Sequence, residues 1–197
     1  MGLFKKKQKY KALLNLSINA KLQPLDRGEI FEDALNVLLK RVGCGYVDGG
    51  GTLLGGKGKE IEYCDVDIFL TDDSEDTRKK LIAVLNELCP KGSLLSEEGK
   101  EPIVLGLLEG YAVYLNGYEL PDEVYKTSDI NYVISELKKS FEGEVKYYSW
   151  WKGPTETALY FYGKSFDAMK EKAGEFIASY PLCQKCRIVR LPDKLPC

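Results

Sequence analysis

Two aspartates lie two residues apart in the clearest strand pattern of the sequence. Residues 60–70 alternate between the two faces of a strand, so Asp65 and Asp67 point the same way, about 7 Å apart at the usual rise per residue. Paired carboxylates of this kind can hold Mg²⁺ for phosphoryl transfer. Two solvated acids on an open sheet face, or acids that face the second half of the chain, are the simpler interpretation.

Three glycines, Gly49, Gly50 and Gly51, come directly before Thr52 and upstream of that strand. Glycines adopt positive φ angles at low cost and present bare N–H groups, as phosphate-binding loops do. No Gly-Lys-Ser/Thr sequence follows, and the run does not open a helix, so it is not a P-loop. We therefore favour a bulged strand and a hairpin over a phosphate site.

A helical segment, the pair Gly51-Thr52 and the strand Asp65-Val66-Asp67 follow one another along the chain. This order resembles the minimal nucleotidyltransferase pattern, in which Gly-Ser precedes an Asp-x-Asp strand. The resemblance implies a magnesium-dependent nucleotidyl or phosphoryl transferase with both aspartates as metal ligands. The sequence departs from the pattern because threonine replaces serine, the glycines of 55–58 prevent the short helix that should follow, and no third carboxylate strand is evident.

A second group of candidate residues lies before the first helix. In a ferredoxin-like unit the first strand-to-helix loop and the hairpin between strands two and three lie at the same end of the sheet. Arg27 and Glu29 would then lie near the glycine run, where Arg27 and Lys57 could bind an anion at the helix N-terminus. A surface pair between Arg27 and Glu29 is the alternative, and we favour it.

Aromatic side chains mark the second half of the chain. Tyr160 and Tyr162 occupy the strand register that Asp67 and Phe69 occupy in the first half, with Trp150 close by. Such a face could bind a ligand or a partner protein. It could also stack bases, but the consensus strand of an RNA-binding domain is missing and the charge is unfavourable. The interpretation we favour is that the two sheets pack against each other there.

Composition excludes several kinds of site. Histidine is absent from the 197 residues, which removes Ser-His-Asp and Cys-His nucleophiles, histidine-ligated metals and histidine general bases. The net charge of -2 creates no overall field that would attract nucleic acid. Cys183 and Cys186 form a single Cys-x-x-Cys pair, which could serve zinc or redox chemistry, although plain structural cysteines are favoured.

The predicted location is the cytoplasm. No apolar run approaches the ~20 residues needed to cross a bilayer, and residues 1–7 lack the apolar region of a signal peptide. We expect no membrane or nucleic-acid partner. We also expect no cofactor, apart from the magnesium that the transferase alternative would use, and the oligomeric state stays open.

The same order of elements, strand-helix-strand-strand-helix-strand, runs twice along the chain. The patterns predict strands over 11–22, 44–54, 60–70, 93–96, 145–151, 157–162 and 187–191, and an extended stretch over 103–118 that is either one long strand or a strand pair. They predict helices that contain 30–39, 75–88, 130–141 and 166–177. The sequence therefore predicts an α+β fold of two tandem ferredoxin-like (βαββαβ) units, with antiparallel sheets and helices on one face. The first unit is expected to span 1–100 and the second 101–197, closely packed on the first.

Three segments resemble those of uncharacterised bacterial proteins of this size. They are Asp26-Arg27-Gly28-Glu29, Gly49-Gly50-Gly51-Thr52 and Tyr63-Cys64-Asp65-Val66-Asp67. The resemblance implies a bacterial family of small tandem ferredoxin-like proteins, and it implies no activity.

The sequence predicts a non-enzymatic binding or protein-interaction module, for example an immunity-type or regulatory protein, that binds an unknown protein or small molecule. One alternative is the transferase, which needs a third acidic side chain within metal reach of Asp65 and Asp67. Another is a small-molecule sensor with a pocket between the halves, lined by Tyr160, Tyr162 and Trp150. An interaction module instead needs an exposed patch.

Overall fold

The computed structural model describes residues 10–56 and 60–196. The strands of the first half are β1 (Ala12–Ile18), β2 (Gly45–Gly55), β3 (Glu60–Leu70), β4 (Ser93–Ser96) and β5 (Ile103–Leu105). The helices are α1 (Pro24–Arg27), a π-helical segment (Gly28–Asp33) that continues into α2 (Ala34–Val42), and α3 (Glu75–Leu88). The strands form one antiparallel sheet in the order β2-β3-β1-β4-β5.

The second half forms a separate four-stranded antiparallel sheet. Its strands are β6 (Glu109–Asn116), β7 (Lys146–Lys152), β8 (Glu156–Gly163) and β9 (Arg187–Arg190), in the order β7-β8-β6-β9. Its helices are α4 (Asp122–Thr127), α5 (Ile130–Ser140), α6 (Phe166–Ser179) and a 3-10 turn (Pro181–Cys183). No helix within residues 10–56 and 60–196 is long and apolar enough to span a bilayer.

These two sheets with their helices confirm the mixed α+β architecture expected from the sequence. The extended stretch 103–118 is divided between them. β5 pairs with β4 in the first sheet, although the expected unit boundary places it in the second half, and β6 lies inside the second sheet. The first sheet therefore extends slightly beyond the expected boundary.

Helix ends follow local signals in the sequence. Ser74 caps α3 by accepting a hydrogen bond from the Thr77 N–H, and Glu75 and Asp76 suit the positive end of the helix dipole. Gly43 ends α2 with a φ of 70°, a left-handed conformation that costs glycine little. Such signals lie within a few residues of the helix end, so the helices could be located from sequence.

Burial with a period of two defines the inner face of the first sheet. Leu14, Leu16 and Ile18 of β1 are buried, whereas the residues between them are partly exposed. Phe31 and Leu85 from the helical segments belong to the same core. The helices therefore cover this face, and the opposite face has no cover within the described part of the chain.

The second sheet is buried on both faces. Tyr111 and Phe161 lie in a core with Leu137 of α5, whereas Tyr114 and Tyr160 lie in the core of the first half. An apolar sheet face must pack against another element. The helices cover one face of this sheet and the first half of the chain covers the other, so the two halves pack closely.

The connection between the halves passes through close backbone contacts. Pro90 and Leu108 form an isolated parallel bridge, and the Gly106 N–H donates a hydrogen bond to Asn86 Oδ1 at 3.0 Å. Gly106 has a φ of +105°, and a Cβ there would lie 2.0 Å from the Pro90 carbonyl oxygen. Only glycine fits this passage without displacing backbone.

Gly106→Ala tests this constraint. We expect a loss of about 3 kcal/mol in the free energy of unfolding, because the methyl group meets backbone atoms that cannot rotate away. The matched control is Gly99→Ala, where φ is +75° but nothing lies within 4 Å of the added Cβ. That change should cost only about 1 kcal/mol, the strain of a left-handed alanine. Urea unfolding measures both, and equal losses would contradict a decisive contact at Gly106.

Candidate functional site

The aspartate pair lies on the uncovered face of the first sheet. Asn15 is paired across the strands with Asp67, and Ser17 with Asp65. Asn15 Nδ2 donates to Asp67 Oδ1 at 3.0 Å, and Ser17 Oγ donates to Asp65 Oδ1 at 2.7 Å. All four side chains are partly buried. Both carboxylates are thus held by neutral partners, and neither forms an ion pair with a described residue.

Cross-strand partners share a face of a sheet, so the pairing identifies the other side chains around the acids. We call this surface the open face. Its members are Leu13, Asn15, Ser17, Tyr46, Leu53, Tyr63, Asp65, Asp67, Phe69, Leu94, Ser96 and Val104. Polar side chains lie at its centre, and apolar side chains surround them.

Aromatic rings lie at one end of the apolar part of the open face. The rings of Tyr46 and Phe69 are stacked, with centroids 5.0 Å apart and planes at 5°. Tyr10 meets Phe69 edge-on, also at 5.0 Å. Leu13 and Val104 are 40% and 70% exposed on the same face. The sequence alone did not predict this cluster, although pairing the third strand with the first and second strands in antiparallel register places Leu13 and Tyr46 beside Phe69.

The glycine run forms an irregular edge beside the acids, and the expected bulge is confirmed between Val47 and Gly50. Gly49 has a φ of +111°, and a Cβ there would lie 3.0 Å from Asp67 Oδ2. A Cβ on Gly50 would lie 2.5 Å from the Asp65 carbonyl oxygen. Gly51, opposite Asp65, has open space around it. The glycines therefore allow the edge strand to pass close to the aspartates.

Arg27 and Thr52 lie on the other side of the sheet. Thr52 pairs with buried Cys64, and Arg27 Nη1 donates to Thr52 Oγ1 at 2.8 Å. Arg27 also forms an ion pair with Glu32 at 2.7 Å, whereas Glu29, its expected partner, is exposed. The strand alternation thus separates this group from the aspartates. Lys57, the other cation proposed for an anion site, lies outside the described residues.

Tyr160 and Tyr162 do not form an exposed aromatic face. Both are buried, at 0% and 1% exposure, in the core that joins the halves. Trp150 is 46% exposed, and its carbonyl oxygen accepts a hydrogen bond from Gln23 Nε2 at 3.1 Å. The structure therefore separates the three aromatic candidates, and the tyrosines belong to the packing between the sheets.

Glu60 links the two halves, and no local pattern in the sequence points to it. Its Oε1 accepts hydrogen bonds from the hydroxyls of Tyr114 and Tyr160, both at 2.7 Å, and lies 3.0 Å from Lys21 Nζ. Burial raises the pKa of Glu60, but the two tyrosines and Lys21 lower it by more, so this pKa lies below its ordinary value. The carboxylate is therefore charged at neutral pH.

The fold gives little support to a metal site or to a reactive thiol at Cys183 and Cys186. No group of three or more Cys, Asp or Glu side chains that could hold a metal ion forms among residues 10–56 and 60–196. Cys183 is buried and Cys186 is half-buried, both as free thiols. Burial raises the pKa of Cys183 to about 12, so this thiol stays protonated at neutral pH. These features favour structural cysteines.

No family model matches the sequence, and no curated protein matches it. Two mutant forms of chlorite dismutase from Candidatus Nitrospira defluvii are similar in structure, both with a TM-score of 0.29, at 12% and 9% identity. The alignments cover 90% and 94% of this chain and 88% and 92% of those chains. The first two RRM domains of yeast poly(U) binding protein are similar at 10% identity and a TM-score of 0.24, over 91% of this chain and 99% of that chain. Similarities this weak carry no argument about function.

The pH dependence of stability tests the Glu60 contacts. Folding lowers the pKa of Glu60 from its ordinary value of 4.5. The contribution of Glu60 to the free energy of unfolding is therefore fully present above pH 4.5, and it is lost as the pH falls through the pKa of the folded state. At neutral pH we expect Glu60→Gln to cost about 2 kcal/mol, since hydrogen bonds to a charged group are weakened. The difference from wild type should shrink on acidification below about pH 4.

Chemical unfolding at a series of pH values measures this difference. The matched control is Glu98→Gln, which alters an exposed carboxylate that pairs with no described residue. Its difference from wild type should stay small at every pH. A Glu60→Gln difference that stays constant on acidification would contradict the assigned role.

Proposed function

We propose that this chain is a non-enzymatic protein-interaction module that docks a cationic, partly apolar segment of another protein on the open face. One observation carries the proposal. Asp65 and Asp67 are partly buried at the centre of an uncovered sheet face, yet their hydrogen-bond partners are the neutral side chains Asn15 and Ser17.

Charge complementarity favours arginine or lysine at the centre of the docked segment. Burying an unpaired carboxylate under an apolar surface costs several kcal/mol, on the order of the penalty for a desolvated ion. A guanidinium or ammonium group placed against Asp65 and Asp67 offsets that cost and adds specificity. The rings of Tyr46 and Phe69 supply apolar contact and also attract cations.

A second copy of the chain fits this face poorly. Two open faces placed against each other would bring the aspartates of both copies together, and like charges across an interface are strongly unfavourable. The occupant that the charges favour is therefore a different protein with a basic segment.

The magnesium-dependent transferase is the alternative function, because the same two carboxylates would be its metal ligands. It still needs a third acidic ligand, which the described residues do not place beside the pair. A response to Mg²⁺ alone would favour it over protein docking.

We also propose that the two halves are tandem ferredoxin-like units of one small bacterial family. Numbered within each half, the first four strands have the order 2-3-1-4 in both sheets. The helices also occupy the same places between the strands in both halves. The common order supports a duplicated unit to which β5 adds an edge strand.

The double substitution Asp65→Asn and Asp67→Asn tests the docking proposal. The probe is a set of synthetic peptides with equal apolar content and either arginine or glutamate at the centre, and binding is measured by fluorescence anisotropy. We expect wild type to bind the arginine peptides and the double variant to bind them at least tenfold more weakly, because a charged hydrogen bond contributes about 1.5–3 kcal/mol. Added salt should weaken binding as well.

The control is Asp33→Asn with Glu87→Gln, which removes two exposed charges from helical segments and keeps the open face intact. An equal loss in this control would mean that net charge alone governs binding, and the docking site would be wrong. Preference for glutamate peptides would also overturn it. A rise in thermal stability with Mg²⁺ that the Asp65 and Asp67 substitutions abolish would favour the transferase.

A further inference from the structure

A cavity of about 300 Å³ lies between the two halves of the chain. Asn19, Lys21 and Glu62 line it from the first half, and Tyr162 and residues 191, 192 and 194–196 line it from the second. This volume is at the small end of the range for small-molecule sites. The cavity shares no lining residue with the open face, so a ligand could bind here whether or not a protein docks there.

Tyr162 offers an unused hydrogen-bond donor in this cavity. The side chain is 1% exposed, and its hydroxyl oxygen accepts a hydrogen bond from the Lys21 N–H at 3.0 Å. The hydroxyl proton has no acceptor among the described residues. A buried donor without an acceptor is costly, so a ligand that brings an oxygen acceptor would be stabilised there.

Asn19 offers the complementary group. It is 8% exposed, and its Nδ2 donates to the carbonyl oxygens of Lys91 and Pro192, both at 2.7 Å. These two bonds use both amide hydrogens and fix the orientation of the side chain. Oδ1 is then left without a described donor, so the cavity contains both a donor and an acceptor for a ligand.

Two charged side chains of opposite sign add to the lining. Glu62 and Lys194 form no ion pair with a described residue. Lys21 is different, because its Nζ lies 3.0 Å from Glu60 Oε1 and donates to the Ile61 carbonyl oxygen at 2.7 Å. The free charges are therefore one carboxylate and one ammonium group. Leucine and proline side chains of 191–196 supply apolar surface between them.

We propose that this cavity binds a small zwitterion, an α-amino acid with an apolar side chain. The ligand ammonium group donates to Asn19 Oδ1 and pairs with Glu62. The ligand carboxylate accepts from the Tyr162 hydroxyl and pairs with Lys194. Its side chain packs on the leucines and prolines of residues 191–196. The polar groups of the ligand thus meet the Tyr162 hydroxyl proton, Asn19 Oδ1 and two charged side chains, none of which has a described partner of its own.

Calorimetric titration of the full chain with three probes tests the assignment. L-leucine has both charges, leucinamide lacks the carboxylate, and isocaproate lacks the ammonium group. We expect L-leucine to bind and to raise the thermal midpoint, and we expect both analogues to bind at least tenfold more weakly, since each lacks one charged hydrogen-bonding group.

Glu62→Gln separates ligand recognition from a merely structural effect. It should weaken L-leucine binding at least tenfold and leave isocaproate binding unchanged, because isocaproate has no ammonium group to pair with Glu62. Glu98→Gln, which lies outside the cavity lining, should leave both unchanged. Absence of any heat or thermal shift with L-leucine up to about 10 mM would overturn the proposal, as such a ligand would bind more weakly than millimolar. Equal weakening of L-leucine and isocaproate in Glu62→Gln would also overturn it.

Discussion

Both faces of the second sheet are apolar, and the need to cover both of them shapes the packing of the whole chain. β6 and β8 bury almost all of their side chains, with Tyr111 and Phe161 on the helix side and Tyr114 and Tyr160 on the other. Neither face can stay in water without a large hydrophobic cost. The helices of the second half cover one face, so the first half must cover the other. The two halves consequently share a core.

Covering a face that contains tyrosines creates a second requirement, because buried hydroxyls need hydrogen-bond partners. Glu60 accepts the hydrogen bonds of the Tyr114 and Tyr160 hydroxyls. Lys21 pairs with the carboxylate and balances its negative charge. Tyr162 instead accepts from the Lys21 backbone and keeps its proton for another acceptor. The polar groups at the junction thus hold the halves together and leave a donor in the cavity between them.

The first sheet has a different outer face. Asn15, Ser17, Asp65 and Asp67 make its centre polar, so this face tolerates water and needs no cover from the chain itself. The surrounding aromatic and aliphatic side chains give this face the apolar surface on which we propose that a cationic partner docks. The same alternation of side chains places Arg27 and Thr52 on the inner side, away from the acids.

Local patterns in the sequence were enough to give the order of the strands and helices and the direction of the side chains along each strand. The cap at Ser74, the stop at Gly43 and the common face of Asp65 and Asp67 all depend on residues a few positions apart. Packing in the folded chain buries Tyr160 and leaves Asp65 and Asp67 on an uncovered face. Tyr160 and the aspartates lie in similar positions of similar strands, and they differ in the elements that cover them. The Tyr160–Glu60 bond joins residues 100 positions apart. Local patterns cannot specify such a pair, since it forms only when one sheet packs on the other half of the chain.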